Sequence, residues 1–196
     1  MKRLVLALIL ALSLPAFAAP TPGQPAPDFT LSDTSGKAVK LSDFKGKYVV
    51  LEWVNPDCPY VQKHYNSANM PGLQKEYAGK VTWLTINSTR ESHYEFKSPQ
   101  QMQAWMKEKG GAPAATLLDR DSKVGRLYGA VTTPHMYVID PKGTLVYVGA
   151  IDDKRSTRLE DVKTAKNYVR AALGETMAGK PVSNASTSPY GCTVKY

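Results

Sequence analysis

The residue best suited to chemistry in this sequence is Cys58, one of only two cysteines among the 196 residues. It follows an apolar, β-branched and aromatic run, residues 48–54, that is typical of a buried strand. Pro59 comes next, and proline is favoured in the first turn of a helix, where no amide hydrogen is needed. Cys58 is therefore predicted at a helix N-terminus, where free amides and the helix dipole stabilise a nucleophilic thiolate. The alternative is a buried, inert cysteine.

The second cysteine, Cys192, lies in a polar C-terminal segment. An even pair of cysteines can form a disulfide in an oxidising compartment. A bridge between Cys58 and Cys192 would be either catalytic and reversible or permanent and structural. A permanent bridge closing more than 100 residues would stabilise the fold by roughly 4–5 kcal/mol in the chain-entropy model. A helix start that favours a thiolate is unnecessary for such a bridge, which favours the redox-active interpretation.

The three histidines, His64, His93 and His135, raise the question of a metal site. None has the spacing of a dedicated ligand set, and we expect hydrogen-bonded or surface positions for them. No metal and no other cofactor is predicted. Two aromatic residues flank the cysteine, and packing in the core for Trp53 and at the rim for Tyr60 is the expected arrangement.

The elements that must position Cys58 alternate between strands and helices. A hairpin at 28–31 and 38–41, around a turn at 33–36, precedes the strand that leads to Cys58. The other predicted strands are 81–86, 115–118, 135–139 and 144–150. The predicted helices are 59–68 with a break before Pro71 and a continuation over 73–77, Pro99 to the glycines at 110–111, 122–128, and 159–173 ended by Gly174. This order predicts an α/β fold with a central mixed sheet and helices on both faces.

The N-terminus has the pattern of a secretory signal peptide. Lys2 and Arg3 precede an apolar run, residues 4–14, and Ala16-Phe17-Ala18 provides small residues for cleavage after Ala18. The run is too short to cross a bilayer of about 30 Å. We therefore predict a signal peptide at 1–18, an extended arm at 19–27, one domain at 28–180 and a tail at 181–196. The mature protein is expected in the bacterial periplasm, with no membrane span after cleavage.

The charge of the chain does not indicate a polyanionic partner such as a nucleic acid. The formal net charge of +8 falls to +6 when Lys2 and Arg3 are removed. The basic residues are scattered and interleaved with acidic ones, which is typical of a solvated surface. No nucleic-acid partner is predicted. The tail from Pro181 to Pro189 offers little apolar surface, so we expect it to open easily from the domain.

Several segments give a family resemblance. Residues 26–53 resemble the opening of peroxiredoxins, and residues 131–149 resemble the cis-proline strand and hairpin of thioredoxin-like proteins. The sequence is most similar to a bacterial peroxiredoxin-like group that carries CPYV (58–61), INS (86–88) and a terminal Gly-Cys element, here within 188–196. The resemblance implies a thioredoxin-like fold with an N-terminal hairpin.

The resemblance also implies roles for individual residues. Cys58 resembles the attacking cysteine, Cys192 a resolving cysteine on a C-terminal tail, and Thr133-Pro134 a cis peptide packed against Cys58. Typical peroxiredoxins place a threonine or serine three residues before the attacking cysteine, where this chain has Asn55, and an arginine where it has Pro134. Proline cannot replace a guanidinium that stabilises charge on a leaving oxygen.

Two functions follow from this sequence. The first is an exported thiol oxidoreductase in which Cys58 attacks a hydroperoxide or a protein disulfide and Cys192 resolves the product. Such an enzyme needs a dedicated electron donor, expected to be a membrane thiol-disulfide protein. The second is a non-catalytic binding module stabilised by a structural Cys58–Cys192 bridge.

Overall fold

The computed structural model describes residues 19–196, and the predicted signal peptide at 1–18 lies outside them. The strands are β1 (Thr30–Asp33), β2 (Ala38–Lys40), β3 (Tyr48–Trp53), β4 (Val81–Asn87), β5 (Ala115–Leu118), β6 (Thr132–Thr133), β7 (His135–Ile139), β8 (Leu145–Gly149) and β9 (Cys192–Thr193). The helices are α1 (Pro59–Asn66), α2 (Asn69–Glu76), α3 (Pro99–Glu108), α4 (Lys123–Tyr128) and α5 (Tyr168–Met177). Short 3-10 helices span Leu41–Phe44 and Leu159–Lys163.

Seven strands form one mixed sheet in the order β2-β1-β5-β4-β3-β7-β8. The central pairs β3–β4 and β4–β5 are parallel, as helical crossovers require, and the outer pairs are antiparallel. The predicted N-terminal hairpin is present as β1 and β2. Strands β6 and β9 form a separate two-stranded pair, so the end of the chain returns to the middle of the fold.

Strand β3 shows how the sequence builds two cores. Its side chains alternate between the faces of the sheet because successive residues of a strand point in opposite directions. Val50 belongs to the cluster beneath α1, α2, α3 and α5, whereas Leu51 and Trp53 belong to the cluster beneath α4. The predicted sheet with helices on both faces is confirmed. Among residues 19–196, no helix is long and apolar enough to cross a membrane.

Two helix boundaries differ from the prediction. The predicted break before Pro71 is present at Ala68, whose backbone is left-handed, but the second helix begins at Asn69 and not at Leu73, so Pro71 lies inside the first turn of α2. Proline is tolerated there because the amides of a first turn have no partner within the helix.

The predicted helix at 159–173 is wrong in its extent. Its first residues form a 3-10 helix, and α5 begins only after Asn167, whose side chain accepts a hydrogen bond from the Arg170 amide at 2.8 Å. The helix continues through Gly174 to Met177. The N-cap hydrogen bond of Asn167, and not the apolar periodicity, therefore sets where α5 begins.

The tail is held more firmly than its composition suggests. Tyr190 and Val194 are buried, and both lie beyond the polar residues that predicted easy opening. Thr187 is tied to β8 through its amide, which donates to the Val148 carbonyl at 3.0 Å. The Tyr196 hydroxyl donates to the carbonyl of Ala130. The tail is thus an integral part of the fold in the reduced protein, and its movement stays a prediction.

Candidate active site

Cys58 occupies the position that its sequence context predicts. It is the N-cap residue of α1, and Pro59 is the first residue of that helix. Its side chain is only 1% exposed. The thiol donates a hydrogen bond to the carbonyl of Thr133, with 3.0 Å between sulfur and oxygen. Cys58 therefore lies between the start of α1 and strand β6.

The Thr133–Pro134 peptide bond is cis, as the resemblance implies. Thr133 lies between the two cysteines, because its carbonyl accepts from Cys58 and its backbone pairs with Cys192 across β6 and β9. The structure therefore brings Cys58, Thr133, Pro134 and Cys192 together, although the two cysteines are far apart in the sequence.

Cys192 is a half-buried free thiol close to Cys58, since its backbone pairs with Thr133, whose carbonyl accepts from the Cys58 thiol. Burial, followed by this contact with Cys58, raises the pKa of Cys192 to about 12. The nearby Lys195 ammonium opposes that rise. Two free thiols that lie close together can be oxidised to a disulfide.

Gly191 explains why the second cysteine follows a glycine. Its φ is +143°, a conformation that residues with a side chain rarely adopt. A Cβ atom at this position would lie 2.0 Å from the carbonyl oxygen of Thr133. Only glycine allows the tail to approach Thr133 closely enough for Cys192 to reach Cys58.

Asn55 is buried and shapes the loop before Cys58 rather than pointing at the thiol. Its side-chain oxygen accepts from the Asp57 amide at 3.0 Å, and its amide group donates to the Glu95 carboxylate. Glu95 in turn lies 4.0 Å from the Lys195 ammonium. A carboxylate that the sequence did not single out thus joins the Cys58 loop to the Cys192 tail.

The three histidines contribute no metal site among residues 19–196. His135 packs in the core, where its ring accepts from the Val131 amide at 3.4 Å and lies 3.2 Å from the Tyr137 hydroxyl. His64 is also buried and hydrogen-bonded. Trp53 is a core residue and Tyr60 packs at the rim against Tyr190, as expected.

Glu52 is a second residue that the sequence analysis missed, although a charge inside an apolar strand marks it. The side chain is fully buried and accepts hydrogen bonds from Tyr65 at 2.9 Å and from Trp83 at 2.8 Å. Burial raises the pKa of this carboxyl from 4.5 to about 7, and the hydrogen bonds from Trp83, Tyr65 and Gln74 limit the rise.

This burial predicts a pH-dependent stability. Because the folded-state pKa of Glu52 is raised, its contribution is fully present below pH 4.5 and is lost as the pH rises through about 7. At 1.36 kcal/mol per pH unit, the loss amounts to about 3 kcal/mol. We expect Glu52→Gln to remove this pH dependence, so that the free energy of unfolding of the variant in urea rises relative to that of the wild type as the pH goes from about 4.5 to 8. The exposed Glu108→Gln is the control, and a constant difference for Glu52→Gln would contradict the assignment.

The comparisons with known proteins agree with this geometry. Residues 22–148 match the AhpC/TSA family. The chain belongs to the AhpC/TSA family. It is 30% identical over 142 residues to the thioredoxin-like protein YneN of Bacillus subtilis, covering 71% of this chain and 79% of that protein. It is 28% identical to the thiol-disulfide oxidoreductase ResA of the same organism, covering 64% of this chain and 65% of ResA.

The architecture of this AhpC/TSA member is thioredoxin-like, and a solved structure shares nearly its whole length. An uncharacterized conserved protein from Geobacillus kaustophilus superposes with a TM-score of 0.77 at 28% identity, covering 94% of this chain and 98% of that one. The family supports thiol oxidoreductase activity in general.

Proposed function

We propose that this protein is an exported thiol oxidoreductase in which Cys58 attacks the substrate and Cys192 resolves the resulting intermediate. The observation that carries the proposal is the proximity of two free thiols, Cys58 at the start of α1 and Cys192 on β9, on either side of Thr133. The signal-peptide pattern of residues 1–18 supports export to the bacterial periplasm.

Thiol–disulfide exchange is the reaction that the site supports best. The Cys58 thiolate attacks one sulfur of a protein disulfide, the substrate's S–S bond breaks, and its other sulfur leaves as a thiolate. Cys192 then attacks Cys58, a Cys58–Cys192 bond forms, and the second substrate thiol is released. Two electrons pass from the two cysteines to the substrate, and their two protons end on the substrate's sulfurs.

Hydroperoxide reduction is the second candidate, because a Cys58 side chain that is 1% exposed is more easily reached by a small oxidant. The thiolate would attack the peroxide oxygen, break the O–O bond and release an alcohol, and Cys192 would displace water from the sulfenic acid. Two features weigh against it. Pro134 carries no charge for the leaving oxygen, and the Asn55 amide already donates to Glu95.

In either reaction the oxidised enzyme must be reduced again. The periplasm has no general thiol pool, so we propose a membrane thiol-disulfide protein as the electron donor. The alternative, a binding module with a permanent bridge, needs no electron donor. A structural bridge should have a reduction potential below about −300 mV, whereas a cycling bridge should be appreciably more oxidising.

The test is to react the reduced protein with hydrogen peroxide or with a model protein disulfide and follow both cysteines by mass spectrometry. We expect a Cys58–Cys192 bridge to form with either oxidant, faster with the disulfide, and its potential to lie well above −300 mV. Cys58→Ser is the control for direct reaction of Cys192. A bridge potential below that value, or no bridge with either oxidant, would favour the binding module.

A further inference from the structure

Tyr190 connects the tail of Cys192 to the helix of Cys58. It lies two residues before Cys192, and its buried ring packs edge-on against Tyr60, with 5.7 Å between ring centres. Tyr60 belongs to the first turn of α1, next to Pro59. The ring of Tyr190 therefore connects the two cysteine-bearing segments.

A directed chain of hydrogen bonds holds the Tyr190 hydroxyl. The Asn69 side-chain amide donates to His64 Nδ1 at 2.8 Å, which leaves the hydrogen of the neutral ring on Nε2. His64 Nε2 lies 3.2 Å from the Tyr190 hydroxyl oxygen and so donates to it. The hydroxyl in turn donates to Asp152 Oδ1. The donor and the acceptor of each hydrogen bond in this series are therefore fixed.

The charge that ends this chain is buried and balanced. Asp152 lies just after β8, and its Oδ2 atom is 3.8 Å from the Lys63 ammonium. Both side chains are almost completely buried. Lys63 also donates to the carbonyl of Lys154 at 2.8 Å. A hydroxyl that donates to a buried carboxylate makes a stronger hydrogen bond than one between neutral groups.

We propose that Tyr190 is a positioning residue for the resolving step, holding Cys192 against Cys58 through its hydrogen bonds to His64 and Asp152. The inference rests on the proposed function, because resolution by Cys192 must occur for its rate to be controlled. In that step the Cys192 thiolate attacks the Cys58 sulfur of the mixed disulfide, a Cys58–Cys192 bond forms, and the bound thiol leaves.

The test mixes the reduced protein with 5,5′-dithiobis(2-nitrobenzoate), with the reagent at less than one equivalent per protein molecule. Attack by Cys58 releases a first thionitrobenzoate, and resolution by Cys192 releases the second, so the two steps appear as separate absorbance phases. In Tyr190→Phe the ring is kept and the hydroxyl is lost. We expect the second phase to slow about 10-fold, as loss of a hydrogen bond to a charged partner implies, while the first phase stays unchanged or becomes faster.

Tyr196→Phe is the matched control, because it removes a tail hydroxyl on the other side of Cys192 that donates to the Ala130 carbonyl. Both of its phases should stay within about twofold of the wild type. Asp152→Asn keeps an acceptor oxygen but removes the charge, so it should slow the second phase less than Tyr190→Phe does. If Tyr190→Phe does not fold, the result with Asp152→Asn decides the question.

An unchanged second phase in Tyr190→Phe, or equal slowing in both tyrosine variants, would overturn the inference. So would an unchanged second phase in Asp152→Asn if Tyr190→Phe cannot be purified. Failure of the proposed function would look different, because the wild type would then show no second phase at all. Cys58→Ser measures direct reaction of Cys192 with the reagent, which must be subtracted.

Discussion

Replacing Cys192 with serine is expected to stop multiple turnover while leaving the first attack by Cys58 intact. Cys58 keeps its place at the start of α1 and its contact with Thr133, neither of which depends on the Cys192 sulfur. Without a resolving thiol, however, the intermediate on Cys58 has no intramolecular exit. With a disulfide reagent, the variant should release one equivalent of thiol and retain the other on Cys58. With hydrogen peroxide, it should accumulate sulfenic and more highly oxidised forms.

Mass spectrometry of the trapped protein measures this result, and the matched variant Cys58→Ser provides the comparison. Cys58→Ser should lose the first phase, because burial still raises the pKa of the remaining Cys192 thiol and leaves little thiolate at neutral pH. Normal turnover of Cys192→Ser with a protein reductant would contradict resolution by Cys192. A mechanism with one cysteine would then replace it.

Replacing Gly191 with alanine should disable the site almost as completely, without touching either sulfur. The new Cβ would lie 2.0 Å from the Thr133 carbonyl oxygen, a backbone atom that cannot give way cheaply. The φ of +143° adds a cost of roughly 1–3 kcal/mol for a residue with a side chain. The tail should therefore lift from β6 and carry Cys192 away from Cys58. We expect resolution to slow about 100-fold, which corresponds to nearly 3 kcal/mol.

Gly179→Ala separates the two causes. Gly179 also has a positive φ, of +71°, but a Cβ there would meet nothing within 4 Å. It should lose stability without losing resolution. Alkylation of Cys58 under native conditions reports the lifted tail directly, since this side chain is 1% exposed in the wild type. Slow alkylation and normal resolution in Gly191→Ala would show that the tail tolerates the added carbon.

The local sequence determined most of the fold around Cys58. The apolar strand before it, the proline after it and the Ser98-Pro99 start of α3 are short-range signals, and the structure follows each of them. Cys58 at a helix start, the cis bond before Pro134 and the position of Cys192 beside the site all follow from local patterns or family resemblance. Turn chemistry and capping act within a few residues, which is why they can be identified in a sequence.

The tertiary structure decided what surrounds those residues. Glu95, Asp152 and Tyr190 have no spacing that marks them, because their partners lie on other elements of the fold. The tail illustrates the reason: its composition suggests a loosely held segment, yet Gly191 meets the Thr133 carbonyl and Tyr190 meets a buried carboxylate. The free energy that holds the tail in place comes from contacts between distant parts of the chain, and such contacts exist only once the sheet and its helices have assembled.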